Sequence, residues 1–301
     1  MECLLSDNNL TSVFGEMFDI AETDEYGCSY LDNKLIHCQP LSNVEHYRIK
    51  EGTEIICDMA FGENRNLKSI SLPSSVKIIG IEAFSNCRNL ETLELPNSII
   101  SIRKKAFHNC KSIKYIKIPS NVLYWEDSVF SGCNSLERVD FPEYLDKIPD
   151  WMFACCWNLQ NVIMPKEMNI IGEGAFFCCQ NLRNFKLPKS LFCIEDGSFS
   201  LCKNIENVLL PQQLKRIGYR AFIGCKLLKK ITISSKVSFV GEGAFADCIS
   251  LEKVIIKGKI RFLSDRIFQG CLFLRKINVP LIYYSFYKRC FKRLEKCICF
   301  L

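Results

Sequence analysis

A phenylalanine recurs every 23 residues from Phe61 to Phe291, at 61, 84, 107, 130, 153, 176, 199, 222, 245, 268 and 291, without one slip. Half of the chain's 22 Phe residues sit on this ladder. A fixed period of this length is the mark of a solenoid, in which each unit is too small to bury its apolar face alone and must stack on its neighbours. A chain of 301 residues would otherwise suggest about two globular domains. A repeat array stays one unit however long it grows.

Every apolar position around the Phe also recurs. Three residues on comes Cys, at 87, 110, 133, 156, 179, 202, 225, 248 and 271, with Asn64 in that place in the first full unit. An aliphatic residue follows, from Leu67 to Leu274, and then two apolar residues around one variable position, as in Ile70-Ser71-Leu72 or Val208-Leu209-Leu210. Proline closes this segment in eight units: Pro73, Pro96, Pro119, Pro142, Pro165, Pro188, Pro211 and Pro280. Alternation ending in Pro reads as a short strand. Strands of this length stack at about 4.8 Å into a long parallel sheet. Two inward positions come next (Val76 and Ile79, Leu214 and Ile217), then often Gly (Gly80, Gly172, Gly218, Gly241), where a turn with positive φ is expected. The Ala-Phe pair closes the convex side in a short helical turn or irregular segment.

The unit Cys-x-x-Leu-x-x-Ile-x-Ile-Pro-x-x-Val-x-x-Ile-Gly-x-x-Ala-Phe resembles the 23-residue leucine-rich repeat of BspA-like proteins, over about residues 44–291. The resemblance implies a curved, right-handed leucine-rich repeat solenoid with a parallel β-sheet on its concave face, used for protein or surface binding. Many members of that family are exported and held at the cell surface. The segment from Tyr30 to Ile36 also looks like the hairpin that opens such proteins, with Asp32-Asn33 as its turn. The expected division is an N-terminal cap over residues 1–43, the solenoid over 44–285 and a C-terminal capping helix over 286–301. In the first segment Val13, Phe14, Met17, Phe18 and Ile20 supply apolar cap residues. In the last, Phe286, Cys290, Leu294, Cys297 and Leu301 recur at three- and four-residue steps, with five basic residues on the other side.

The first residues, Met1-Glu2-Cys3-Leu4-Leu5-Ser6-Asp7, carry neither the basic nor the apolar region of a secretory signal. That points to the cytoplasm, whereas the family resemblance points to the surface, and the two stay open side by side. No run of about 18 apolar residues occurs, so no membrane-spanning helix is expected. The net charge of +6 is spread thinly: residues 1–50 carry −6, residues 281–301 carry +4, and the 230 residues between carry the remainder. A mixed surface of this kind argues against nucleic acid as the partner.

Chemistry finds little purchase in this chain. Its three His residues, His37, His46 and His108, offer no convergent acid–base set, so no catalysis and no cofactor are expected. The doubled pairs Cys155-Cys156 and Cys178-Cys179 stack on adjacent coils, and four thiolates in reach of one ion would suit zinc. Cys156 and Cys179 point inward, however, so four converging ligands are not expected. The same stacking permits a Cys155–Cys178 disulfide. The remaining ladder cysteines read as reduced core thiols.

What fails to repeat is the outward face of each strand. One column runs through Tyr115, Arg138, Asn161, Asn184, Asn207, Lys230, Lys253 and Lys276; its neighbour runs through Lys117, Asp140, Ile163, Lys186, Leu209, Thr232 and Ile255. These residues form the candidate binding face. Apolar side chains interleaved with Asn and Lys suit a protein or peptide ligand with acidic character, bound by a monomer. The alternative is an anionic surface, nucleic acid or acidic lipid, held by the basic columns and the basic C-terminal cap.

Overall fold

The computed structural model describes residues 20–41 and 44–301. Val13, Phe14, Met17 and Phe18 of the expected cap lie outside them. The fold follows the period: each 23-residue unit is one coil, and coils stack through three columns of backbone hydrogen bonds.

The first column is the sheet formed by the x-apolar-x segments. Tyr115–Lys117 pairs in parallel with Arg138–Asp140, which pairs with Asn161–Ile163. Further along, Lys230–Ile233, Lys253–Ile256 and Lys276–Val279 continue it. Every partner is 23 residues away, so the register equals the repeat. A second parallel ladder, which the apolar spacing does not predict, is built from two-residue strands such as Ile78–Ile79, Ile170–Ile171 and Arg216–Ile217. They coincide with the second inward apolar position, whose neighbour's amide is left free to bond the coil below.

The third column is the convex side, and it takes the irregular form. From Phe61 to Phe245 each ladder Phe amide donates to the following coil, as Phe153 N to Ala175 O at 2.8 Å and Phe176 N to Ser198 O at 2.8 Å. In the second ladder the donation runs backwards, as Gly172 N to Ile148 O at 2.9 Å. From Phe61 to Phe245 each convex segment is a tight turn with left-handed residues on both sides of its Phe, for example Trp151 (φ 57°) and Cys155 (φ 60°) around Phe153.

The expectation that Gly80, Gly172, Gly218 and Gly241 adopt positive φ is corrected. None of them does; positive φ falls two residues later, at Glu82, Gly174, Arg220 and Gly243. The earlier glycines are required by crowding. A Cβ on Gly218 would lie 2.5 Å from both the Asp196 amide nitrogen and the Glu195 carbonyl carbon of the preceding coil. Asp196 fills that narrow gap with its carboxylate, which accepts from the Tyr219 amide at 2.9 Å. Gly218→Ala is therefore expected to push two coils apart and to destabilise by about 1–3 kcal/mol. Gly197→Ala, with φ of 60° but only Ser200 Cβ at 4.0 Å, should cost about 1 kcal/mol. Urea unfolding of the two variants checks the order.

Inside, the Phe ladder becomes one stack. From Phe61 to Phe245 successive rings lie 5.1–5.7 Å apart with planes within 12° of parallel. Tyr47 closes one end at 5.5 Å and Tyr287 the other at 5.9 Å. Equivalent rings report the local pitch, which exceeds the roughly 4.8 Å spacing of paired strands. Coils are thus wider apart on the Phe side, and the array bends with the first sheet on its inner surface. The ladder thiols pack beside the rings. Nine of them donate to the Phe carbonyl of the preceding coil at 3.0–3.4 Å, as Cys202 Sγ to Phe176 O. Burial pushes them up, to about 12 for Cys87, Cys133 and Cys271.

Both ends depart from the repeat. Cys28–Leu31 and Lys34–Cys38 form the antiparallel hairpin around Asp32-Asn33, with Asp32 at φ 52°. A Cys28–Cys38 disulfide, which the repeat spacing does not single out, joins the two strands. At the far end an α-helix spans Tyr284–Cys290 and a 3-10 segment spans Lys292–Cys297. The last residues leave the helical pattern: Ile298–Phe300 is a strand added to the inner sheet beside Lys276–Val279. Tyr287 anchors this end, its buried hydroxyl donating to Gly258 O at 2.6 Å and accepting from Ile260 N at 3.1 Å.

Candidate functional site

The alternation of each inner strand decides which side chains leave the core. In Tyr115–Lys117 the central Ile116 is fully buried and its two neighbours face out; Lys253–Ile256 buries Val254 and Ile256. All fifteen candidate residues obey this rule. Tyr115, Lys117, Arg138, Ile163, Asn184, Lys186, Asn207, Leu209, Lys230 and Lys276 are exposed, and Asp140, Asn161, Thr232, Lys253 and Ile255 are half-buried. The structure thus brings them onto one surface in two adjacent columns.

Within that surface the side chains are not equally free. Arg138 grips Asp140 through Nε–Oδ1 at 2.7 Å and Nη2–Oδ2 at 2.9 Å. The Tyr115 hydroxyl donates to the same carboxylate at 3.1 Å, and the guanidinium lies 5.8 Å from the Tyr115 ring centroid. The carboxylate in turn raises the Arg138 value, and burial followed by the same carboxylate raises that of Tyr115. These three residues form a closed set, a network that column positions alone do not reveal. Asn184 Nδ2 donates to Asn161 Oδ1 at 2.8 Å, the start of an amide ladder. By contrast Lys230, Lys253 and Lys276 stand in register, and among the described residues none of them forms an ion pair.

The inner sheet is also interrupted. No pairing joins Thr92–Leu93 to Tyr115–Lys117, and none joins Asn184 to Asn207. A cleft of about 600 Å³ lies on the first break, between Glu91, Glu94 and Leu95 on one wall and Lys114, Tyr115 and Lys117 on the other. Another of about 420 Å³ lies just past the second, where Asn207, Leu209, Gln212, Lys230, Thr232 and Lys257 converge. Leu209 is 88% exposed at its rim. Gln212 and Lys257 were not foreseen, because they lie beyond the strands, where the alternation gives no direction. The second ladder breaks once, between Tyr124–Trp125 and Lys147–Ile148. Pro149 stands in the register of Gly172, whose amide bonds the coil below. Proline has no such donor.

His46 Nδ1 meets Ser69 and His108 Nδ1 meets Ser131, each at 2.6 Å, on separate coils; burial lowers the His108 value. Among the described residues no three His, Cys, Asp or Glu side chains gather as a metal site. Cys155, Cys156, Cys178 and Cys179 are all free thiols, the inner two fully buried and the outer two half-buried. The described helices include none long and apolar enough to cross a membrane.

A family model for the BspA type leucine rich repeat region matches residues 54–183 and 169–298. A crystal structure of a leucine-rich repeat protein from Bacteroides ovatus superposes with a TM-score of 0.63 at 23% identity, covering 93% of this chain and 90% of that one. The pneumococcal vaccine antigen PcpA gives 0.57 at 20% identity over 93% and 80%. The Treponema (T. pallidum) leucine rich repeat protein gives 0.54 at 27% identity over 63% and 88%. No curated protein sequence matches the chain.

Proposed function

Since the chain belongs to the BspA-type leucine-rich repeat family, whose repeats generally serve protein interaction and generally do no catalysis, we propose that it is a non-catalytic module that binds an acidic protein or peptide segment on its concave sheet. The observation that carries this reading is the lysine column. Three ammonium groups at successive strand positions repel one another, and none has a carboxylate partner in the described residues. Beside them Leu209 and Thr232 rim a cleft of about 420 Å³. Uncompensated like charge next to exposed apolar surface is the arrangement that an acidic ligand with an apolar anchor would complete. The anionic-surface reading uses the same lysines without the cleft.

Replacing Lys230, Lys253 and Lys276 together by Glu should weaken partner binding by about 4- to 140-fold, since each reversed rim charge costs a few tenths to about 1 kcal/mol. Leu209→Asp should weaken it independently by loss of the anchor. Capture of partners from cell extract by the wild type and both variants, read by mass spectrometry, tests this. Retention of every partner by the triple variant would remove the face from consideration. Loss in the triple variant alone, with steep salt dependence, would favour the anionic-surface reading.

A further inference from the structure

The position two residues after each ladder Phe is held in the left-handed region, from Glu63 to Gly270. Six of its ten residues are Gly, Asn or Asp: Asn86, Asn109, Gly132, Gly224, Asp247 and Gly270. Those types enter that conformation at the least cost. Cys155 (φ 60°) and Cys178 (φ 61°) occupy it on consecutive coils. A β-carbon held in a disfavoured conformation at two stacked positions prompts the question of use.

The geometry of this register answers it. A side chain here reaches the same position on the next coil. Asn109 Nδ2 donates to Asn86 Oδ1 at 3.0 Å, and the Leu201 side chain lies 2.8 Å from where a Gly224 Cβ would stand. The two coils carrying the thiols are tied together at this height, by Cys155 N to Phe177 O at 2.7 Å and by parallel Phe153 and Phe176 rings 5.7 Å apart. The Cys155 value is raised by burial and by the neighbouring Cys178 sulfur. Both thiols are half-buried, and Gln180 Nε2 approaches Cys178 Sγ at 3.5 Å from the side. Coil spacing of this order falls within the Cα separations that a disulfide spans.

We propose that Cys155 and Cys178 are a redox pair on the convex surface, which closes to a disulfide by exchange with a small-molecule disulfide while the nine ladder thiols stay reduced. One thiolate of the pair attacks a sulfur of the external disulfide, whose S–S bond breaks and releases one small thiolate. The second protein thiolate then attacks the mixed disulfide and releases the other. Two protein thiols are oxidised and one external disulfide is reduced to two thiols, which take up the two protons. The ladder thiols cannot compete, being buried against the Phe carbonyls to which they donate.

The full-length protein, treated with a mild thiol reductant and desalted, is incubated with oxidised glutathione, then denatured, alkylated and mapped by peptide mass. Besides the Cys28–Cys38 cross-link of the hairpin, one cross-linked peptide joining Cys155 and Cys178, lighter by two hydrogens, is expected, with the ladder cysteines recovered alkylated. In Cys155→Ser the partner Cys178 should instead accumulate a glutathione adduct. Recovery of Cys155 and Cys178 as free thiols, as separate glutathione adducts in the wild type, or bonded to Cys156 or Cys179 would overturn the proposal.

Discussion

Raising the pH from neutrality is expected to unfold this protein between about pH 10 and 12.5, without heat or denaturant. Nine ladder thiols are buried and donate to Phe carbonyls, and burial lifts those of Cys87, Cys133 and Cys271 from the ordinary value of 9.0 to about 12. Cys110, Cys156, Cys179, Cys202, Cys225 and Cys248 are likewise pushed well up, by burial first and, for all but Cys202, by ladder sulfurs of adjacent coils. Below pH 8.5 or so the folded and unfolded chains both keep these protons, and nothing depends on pH. Above it the unfolded chain ionises and the folded chain cannot, so stability is lost as the pH climbs towards 12. Each thiol contributes about 1.4 kcal/mol per pH unit, and nine together about 12. A chain of this length with about 0.05–0.15 kcal/mol per residue has roughly 15–45 kcal/mol to lose. Circular dichroism against pH, followed by urea titrations at fixed pH, measures the slope. Replacing Cys110, Cys133 and Cys225 by Ala should lower it by about a third. Equal stability at pH 7 and pH 10 would show that the thiols do not resist ionisation as described.

Phe176→Ala is expected to cost about 3–5 kcal/mol. The ring is fully buried, with Phe153 at 5.7 Å and Phe199 at 5.3 Å on its two faces. Removing it leaves a void that the coils cannot close, since convex hydrogen bonds fix their separation on either side. The stack also predicts who couples to whom. Phe153→Ala and Phe176→Ala share one ring interface, so the double variant should lose about 0.5–1.5 kcal/mol less than the sum of the singles. Phe84→Ala with Phe222→Ala, which share none, should add. Urea midpoints of the six variants decide it; strict additivity for the adjacent pair would mean that the rings fill space without interacting.

The legible part of this molecule is what the period repeats. Ladder Phe, Cys and aliphatic residues announce their burial because a position filled alike in ten coils has the same surroundings in each. The strand Lys253–Ile256 and its register with Lys276 follow from that alone. Harder to read is whatever depends on two unlike neighbours. The Tyr115–Arg138–Asp140 set arises from a diagonal meeting between columns, and removes three residues from the freely available part of the candidate face. Gly218 shows the same limit in the backbone: the letter marks a special place, but spacing does not tell crowding from positive φ. The clefts were invisible because they come from missing hydrogen bonds, and only at Pro149 does one residue type give the reason.

Those missing bonds are distributed in a telling way. The inner sheet parts after Thr92–Leu93 and again between Asn184 and Asn207, while the second ladder parts only between Tyr124–Trp125 and Lys147–Ile148. Each gap therefore falls at a height where the other ladder is continuous and the rings still stack. Staggered joints in masonry work in the same manner: no horizontal plane crosses every gap. Tension applied to the ends finds no single course at which the wall can open, so rupture must shear sound mortar and cannot follow a seam.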